Sequence, residues 1–288
     1  MYTIGLDRPY LFKILIAQPE VDEMTQSIEI RKDGEIVEVL LNRPETFNAF
    51  DLDMIELLAK CLISLAMDDS VSVLIISGAG KAFCAGGDLK WALNFPAGPG
   101  AAFHELAAQY HQATLEILRM KKPVIACING IAAGGGFSLA LACDFRIMAQ
   151  SAILRQGYTS SGLCIDGGGT FTLPRLIGLA RAMEVIAFDE PISSKQALAW
   201  GLATKVVEDG RALEEAREMA RELVQRSLHS FGWCKQLLID SFHTAFEAHI
   251  ERERLGLSSC ADHPDGQEGL KAFSEKRKPI FKALHAPK

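Results

Sequence analysis

Two glycine-rich segments bring together the residue types that chemistry at an oxygen gaining negative charge requires. The first is Lys81-Ala82-Phe83-Cys84-Ala85-Gly86-Gly87-Asp88-Leu89. The second is Asn129-Gly130-Ile131-Ala132-Ala133-Gly134-Gly135-Gly136, and it continues as Phe137-Ser138-Leu139-Ala140-Leu141-Ala142-Cys143-Asp144. Glycine lets a backbone approach a ligand closely and take turns that other residues resist. A helix N-terminus adds N–H groups with no intrahelical acceptor. Two such turns facing one another would hold one oxygen between two N–H donors, which is the layout of an oxyanion hole. A third segment, Gly162-Leu163-Cys164-Ile165-Asp166-Gly167-Gly168-Gly169-Thr170, carries one acid. Taken alone, an Asp ahead of glycines forms a turn more often than it serves as a base.

The surrounding elements must position these segments. Each of the first two follows a strand-like apolar run, Val71–Ser77 and Val124–Ile128. Further strands are expected at Glu35–Leu41, Phe145–Ala149 and Thr204–Val207. Helical spacing is read at Leu52–Ala66, capped by Asp51 or Asn48, and at Ala101–Met120, Gly135–Ala142, Gly178–Phe188 and Ser194–Trp200. Leu93–Ala102 reads as a loop and a candidate flap. The alternation argues for an α/β fold with parallel strand pairs. From Arg211 onward the chain reads as mostly helical.

Composition narrows the partners. The chain has 288 residues, 49% apolar and 23% charged, which suits a soluble globular protein with a substantial core. A net charge of −6 gives no overall attraction to nucleic acid or anionic membrane. An anionic ligand needs a local basic patch, for which Lys81, Lys90, Lys121-Lys122 and Lys276-Arg277-Lys278 are candidates. Seven cysteines without a C-x-x-C pattern fit free, mostly buried thiols, and no apolar run reaches membrane-spanning length. Cytoplasm is the expected location. No zinc-type spacing of His, Cys, Asp or Glu is present, so no metal site is expected. Gly78-Ala79-Gly80-Lys81-Ala82 lacks the earlier glycine and the Ser or Thr of a phosphate loop.

In combination, Asn42-Arg43-Pro44, the two glycine segments, Gly167-Gly168-Gly169-Thr170, Leu173-Pro174-Arg175 and Ala197-Leu198-Ala199-Trp200-Gly201-Leu202 resemble the enoyl-CoA hydratase/isomerase (crotonase) superfamily. The resemblance spans roughly residues 27–282. It implies an α/β crotonase-like spiral of β-β-α repeats with a C-terminal helical region. The implied division is an N-terminal extension over 1–26, a spiral core over 27–210, and a helical oligomerisation and lid region over 211–288. For residues 1–26 an added edge element, a disordered arm and a misplaced start codon stay open. The implied partner is an acyl-CoA thioester, with coenzyme A as part of the substrate and no permanently bound cofactor. The implied assembly is a homotrimer or a dimer of trimers.

The resemblance also implies roles. The Gly87 and Gly135 N–H groups map onto the oxyanion donors that stabilise a thioester enolate. Thr46, Phe47, Ala85, Gly86 and Asp88 map onto the backbone that holds coenzyme A. The two water-splitting glutamates of a hydratase fall on Ser138 and on Tyr158 or a near neighbour, neither of which is acidic. Some isomerases carry one Asp or Glu where this chain has Asp166. A lone carboxylate can take a proton from the α-carbon and return it to the γ-carbon, and an apolar pocket would raise its pKa to suit both tasks. The expected reaction is a shift of a 3-enoyl-CoA double bond to position 2. A hydratase or lyase drawing acids from the Ala101–Met120 helix, a cyclic β-keto-acyl-CoA hydrolase or lyase, and a non-catalytic CoA-ester-binding paralogue are the alternatives. His104 and His111, seven apart on that helix, are weaker candidates for a second proton-transfer group.

Overall fold

The computed structural model describes residues 27–281. The expectations for residues 1–26 and for the last seven residues of the C-terminal region lie outside them. The chain opens with a hairpin, β1 (Ile28–Asp33) and β2 (Ile36–Leu41), followed by α1 (Leu52–Met67). β3 (Val73–Gly78), β4 (Ala82–Cys84), α2 (Leu89–Leu93) and α3 (Pro99–Arg119) form the next turn. β5 (Val124–Ile128), β6 (Ile131–Ala133) and α4 (Gly135–Ala142) repeat the pattern. β7 (Phe145–Ala149), β8 (Ile153–Arg155), α5 (Gly169–Ile177) and α6 (Leu179–Phe188) repeat it again. β9 (Ile192–Ser193), α7 (Ser194–Trp200) and β10 (Lys205–Val207) complete the strands, and α8 (Ala212–Val224), α9 (Leu228–Asp240), α10 (Phe246–Asp262) and α11 (Pro264–Ser274) follow.

The strands sort into two sheets, β1-β2-β3-β5-β7-β10 and β4-β6-β8-β9. After the opening hairpin, whose two strands share the larger sheet, the pairs β3/β4, β5/β6 and β7/β8 each give their first strand to that sheet and their second to the smaller one. This is the expected crotonase-type spiral of β-β-α units. Pairing is parallel from β2 to β10 and from β4 to β8. Every residue of β3 and β5 is buried, as expected for parallel strands covered on both faces. α8 packs on β3, β5, β7 and β10, whereas α10 packs on α9 and α11. Among the described residues no helix is long and apolar enough to cross a membrane.

Several boundaries differ from the sequence expectation. Helix α3 starts at Pro99, so the irregular stretch expected over Leu93–Ala102 shrinks to residues 94–98. Pro99 sits where its missing N–H costs nothing, and Gly98 supplies a positive φ of 86° just ahead of it. Strands β1, β4, β6 and β8 and helix α5 were not expected from periodicity.

One buried side chain organises the first glycine segment. Asn48 has a φ of 59° and is fully buried. Its Nδ2 donates to the carbonyls of Ala79, Ala82 and Phe83 at 2.9, 2.9 and 3.2 Å, and its Oδ1 accepts from Arg43 N. The helix cap that Asn48 offered in the sequence belongs instead to Asp51, which accepts from Met54 N at 3.0 Å. Replacing Asn48 by Ala strands buried carbonyls and leaves a left-handed residue without its side-chain support. We expect Asn48→Ala to lower stability by about 2–4 kcal/mol, read as a lower urea midpoint at unchanged slope. A midpoint equal to that of the unmodified chain would contradict this role.

Candidate active site

The two glycine segments meet backbone to backbone. β4 pairs with β6 in parallel, so Ala85–Gly87 runs beside Gly134–Gly136. A Cβ on Gly136 would lie 2.1 Å from the Cys84 carbonyl oxygen, and one on Gly86 would lie 3.0 Å from the Ala133 carbonyl oxygen. Larger residues would force the segments apart.

This packing fixes two N–H groups. Gly87 forms a parallel bridge with Phe50 in which Phe50 N donates to Gly86 O at 2.7 Å and Asp88 N donates to Phe50 O at 2.8 Å. The bridge uses its neighbours and leaves the Gly87 N–H without a backbone partner. Gly135 is the first residue of α4, so its N–H has no intrahelical acceptor. Its carbonyl is held at 2.5 Å by the hydroxyl of Tyr110, a buried residue of α3. Both glycines line one cavity of about 360 Å³. Such a pair of donors can bind one oxygen that carries negative charge.

The apolar wall comes largely from one face of α3. Gly100, Phe103, His104, Leu106, Ala107 and Tyr110 line the cavity at helical spacing. Phe50 packs on Tyr110 with ring centroids 5.3 Å apart. The opposite wall holds Tyr158, Leu163, Cys164 and Asp166. Asp166 is thus brought to the cavity that Gly87 and Gly135 share, and it is the one carboxylate among the described residues lining it. Its side chain caps no helix, since α5 begins at Gly169 behind Gly168 with no side-chain cap. Instead Asp166 Oδ1 accepts from the Tyr158 hydroxyl at 2.5 Å, and Oδ2 lies 3.7 Å from His111 Nε2. The carboxylate is a third exposed, with polar neighbours, rather than enclosed in apolar surroundings.

Tyr158 is the residue onto which, or next to which, the resemblance maps a hydratase's second glutamate. Burial, and then the Asp166 charge beside it, push its hydroxyl well above the ordinary phenol range, so it stays a donor. Its loop is fixed by buried Asp189, which accepts from Gly157 N at 2.9 Å and pairs with Arg155 at 3.2 Å. Ser138, at the first glutamate's position, does not line the cavity. Its Oγ lies beside the Tyr158 oxygen but outside hydrogen-bonding geometry, and is buried and unpartnered.

The five coenzyme-segment residues do not line this cavity. Thr46 and Phe47 lie next to the first glycine segment, with Ala85 N donating to Phe47 O at 3.0 Å, and the Phe47 ring is half exposed. Gly86 is spent on the contact between the segments. The Asp88 side chain caps α2 by accepting from Lys90 N and Trp91 N, and it pairs with Arg43 at 3.2 Å. Any ligand there would meet backbone rather than the Asp88 carboxylate. Glu105 and Glu116 of α3 stay outside the cavity. Asp144 holds a junction, accepting from Val124 N and from buried Lys235 Nζ, each at 2.8 Å. Among the described residues no group of His, Cys, Asp and Glu is arranged to hold a metal ion.

Sequence reading missed Tyr110, Lys235 and the pairing of His111 with Asp166. The one signal for Tyr110 was its place on the face of α3 that also carries Phe103. An aromatic at helical spacing ordinarily reads as core.

A family model described as enoyl-CoA hydratase/isomerase matches residues 31–284. The chain is 35% identical to the 1,2-epoxyphenylacetyl-CoA isomerase of Escherichia coli K12, over 85% of this chain and 94% of that protein. It is 33% identical to the carnitinyl-CoA dehydratase of Salmonella typhi, over 90% and 99%. The solved structure of an enoyl-CoA hydratase from Bacillus anthracis superposes with a TM-score of 0.83 at 33% identity, covering 90% of this chain and 100% of that one.

All seven cysteines are free, with Cys84, Cys127 and Cys143 buried and Cys164 and Cys234 exposed. Burial pushes the Cys84 and Cys143 thiols up to about 12. The thiolate is the nucleophile, so iodoacetamide at about pH 8 should label Cys164 and Cys234 first and leave Cys84 and Cys143 untouched until unfolding. A CoA ester at ten times its dissociation constant should slow labelling of Cys164 about tenfold and leave Cys234 unaffected. Equal protection of both, in peptide mass spectra, would contradict the placement of the ligand in this cavity.

Proposed function

Because the chain belongs to the enoyl-CoA hydratase/isomerase family, we propose that it is an acyl-CoA isomerase, moving the double bond of a 3-enoyl-CoA to position 2 with one carboxylate. The observation that carries this reading is Asp166, the one carboxylate among the described residues lining the cavity, beside two backbone donors, Gly87 and Gly135. The resemblance maps a hydratase's two glutamates onto Ser138 and onto Tyr158 or a near neighbour, and neither serine nor tyrosine is a base strong enough to activate water unaided.

The chain's own groups supply each step. The thioester carbonyl oxygen accepts from the Gly87 and Gly135 N–H groups. Asp166 Oδ2 removes the α-proton, the C–H pair becomes the Cα–C1 double bond, and the carbonyl pair moves onto oxygen. The two donors stabilise the resulting dienolate, each by about 3 kcal/mol in the transition state. The carbonyl then re-forms, the double bond settles between Cα and Cβ, and the old π pair takes the proton from Asp166 at the γ-carbon. Tyr158 holds Oδ1, which leaves Oδ2 to move the proton. Water need not enter the bond-making steps.

For coenzyme A we propose the backbone of Thr46, Phe47, Ala85, Gly86 and Asp88, with no permanently bound cofactor. A trimeric assembly, alone or doubled, accords with the exposed Leu179, Met183 and Phe188 of α6. A lyase reading has one observation in its favour: His104 lines the cavity and offers a second proton-transfer group.

Asp166→Asn separates an enzyme from a CoA-ester-binding protein. We expect isomerisation of a 3-enoyl-CoA to fall about 10²–10⁴-fold while CoA-ester binding by calorimetry stays within about threefold. Retained turnover in Asp166→Asn would contradict the reading, as would the lack of any turnover in the unmodified protein.

A further inference from the structure

A second cavity of about 480 Å³ lies on the other side of the loop that carries Asp166. Its wall includes His111, Arg119, Gly167, Phe171, Gln236 and His243. The two cavities share no lining residue, but one pair of side chains spans them. Asp166 lines the first and His111 lines the second, and Oδ2 and Nε2 stand 3.7 Å apart. The His111 side chain is half exposed.

One hydrogen bond assigns the tautomer of neutral His111. Gly167 N donates to His111 Nε2 at 3.3 Å, so Nε2 carries a lone pair and the ring proton is on Nδ1. An ionised carboxylate oxygen and an unprotonated ring nitrogen are both acceptors, and 3.7 Å is a separation such a pair would keep. When Asp166 holds a proton on Oδ2, it becomes a donor that can close on Nε2, displacing the long Gly167 N–H bond from the single lone pair of that nitrogen. Tyr158 fixes Oδ1, so the carboxyl presents Oδ2 to His111. The nearby phenols offer no alternative base for the proton, since burial keeps both Tyr110 and Tyr158 protonated. Cys164 turns its sulfur to the Ile165 carbonyl.

We propose that His111 is the residue through which Asp166 exchanges its captured proton with solvent, by way of the second cavity. This rests on the reading of Asp166 as the base. The step balances without any redox change. The carboxylic acid gives H⁺ to Nε2, leaving a carboxylate and an imidazolium. The imidazolium exchanges with water in the second cavity, and a solvent-derived proton returns to Oδ2. His111 meets no substrate atom and acts only through Asp166. Two fates then compete for each captured proton: direct return to the γ-carbon, or exchange.

The test is deuterium content in heavy water. The unmodified protein isomerising 3-hexenoyl-CoA should give product with solvent deuterium at the γ-carbon. His111→Gln keeps an acceptor for the Gly167 N–H but cannot relay a proton, and deuterium per product molecule should drop about tenfold. Free imidazole should restore it in His111→Ala, a recovery that a merely structural role would not give. Unchanged deuterium in His111→Gln, or none in the unmodified protein's product, would overturn the relay. Should 3-hexenoyl-CoA not be isomerised at all, the functional reading fails separately. α-Proton exchange of hexanoyl-CoA then tests the relay: slower exchange in His111→Gln supports it, and equal or absent exchange overturns it.

Discussion

The closeness of two backbones governs the rest of this molecule. Ala85–Gly87 and Gly134–Gly136 approach until no side chain fits between them, with the Cys84 carbonyl 2.1 Å from where a Gly136 Cβ would be. Everything around them serves that contact. β4 and β6 pair in parallel on either side of it. Asn48 gathers three carbonyls of the first segment, and Tyr110 holds the carbonyl of the second. The peptide N–H groups of Gly87 and Gly135 are left over once these demands are met. Backbone donors of this kind are prepositioned by the fold itself and need no reorganisation when charge develops nearby.

The acid side of the site follows a different logic. Asp166 sits on a glycine-rich loop, where no helix or strand sets its rotamer. Tyr158 sets it instead, and Tyr158 is set in turn by a loop anchored on buried Asp189. A phenol is suited to this place because burial keeps its proton on. A carboxylate there would repel Asp166 and raise its proton affinity. Tyr158 thus orients the Asp166 carboxylate without adding a second negative charge beside it. Further out, Lys235 of α9 uses all three of its protons, on the Ile117 and Lys122 carbonyls and on Asp144, and so ties the C-terminal helices to the core.

What the sequence could and could not reveal follows from the range of each signal. Helix α4 was legible to its last residue, because Gly135 opens it, Cys143-Asp144 closes it and every residue between except Ser138 is glycine or apolar. β5 was equally plain as a short apolar run, and β7 as one interrupted only by Arg146. The second sheet was not, since β4, β6 and β8 have three residues each and two of them lie inside or beside glycine segments. Three residues show no periodicity, and their partners are distant in sequence. β1 escaped notice because most of its side chains are exposed and charged. Leu93–Ala102 read as a loop, although proline at a first helical position, as at Pro99, is favoured at a helix start. Gly87, Gly135 and Asp166, which line one cavity, were singled out through motif and resemblance together. The contact of His111 with Asp166 has no local pattern and needed coordinates.

The central claim is that one carboxylate beside an oxyanion-binding pair of glycines moves protons without activating water. It is tested most directly by offering the purified protein a 3-enoyl-CoA and, separately, the matching 2-enoyl-CoA, and resolving the products by chromatography. The account predicts conversion of the 3-enoyl to the 2-enoyl ester, with no 3-hydroxyacyl-CoA formed from either substrate. Rapid formation of 3-hydroxyacyl-CoA from the 2-enoyl ester would contradict it.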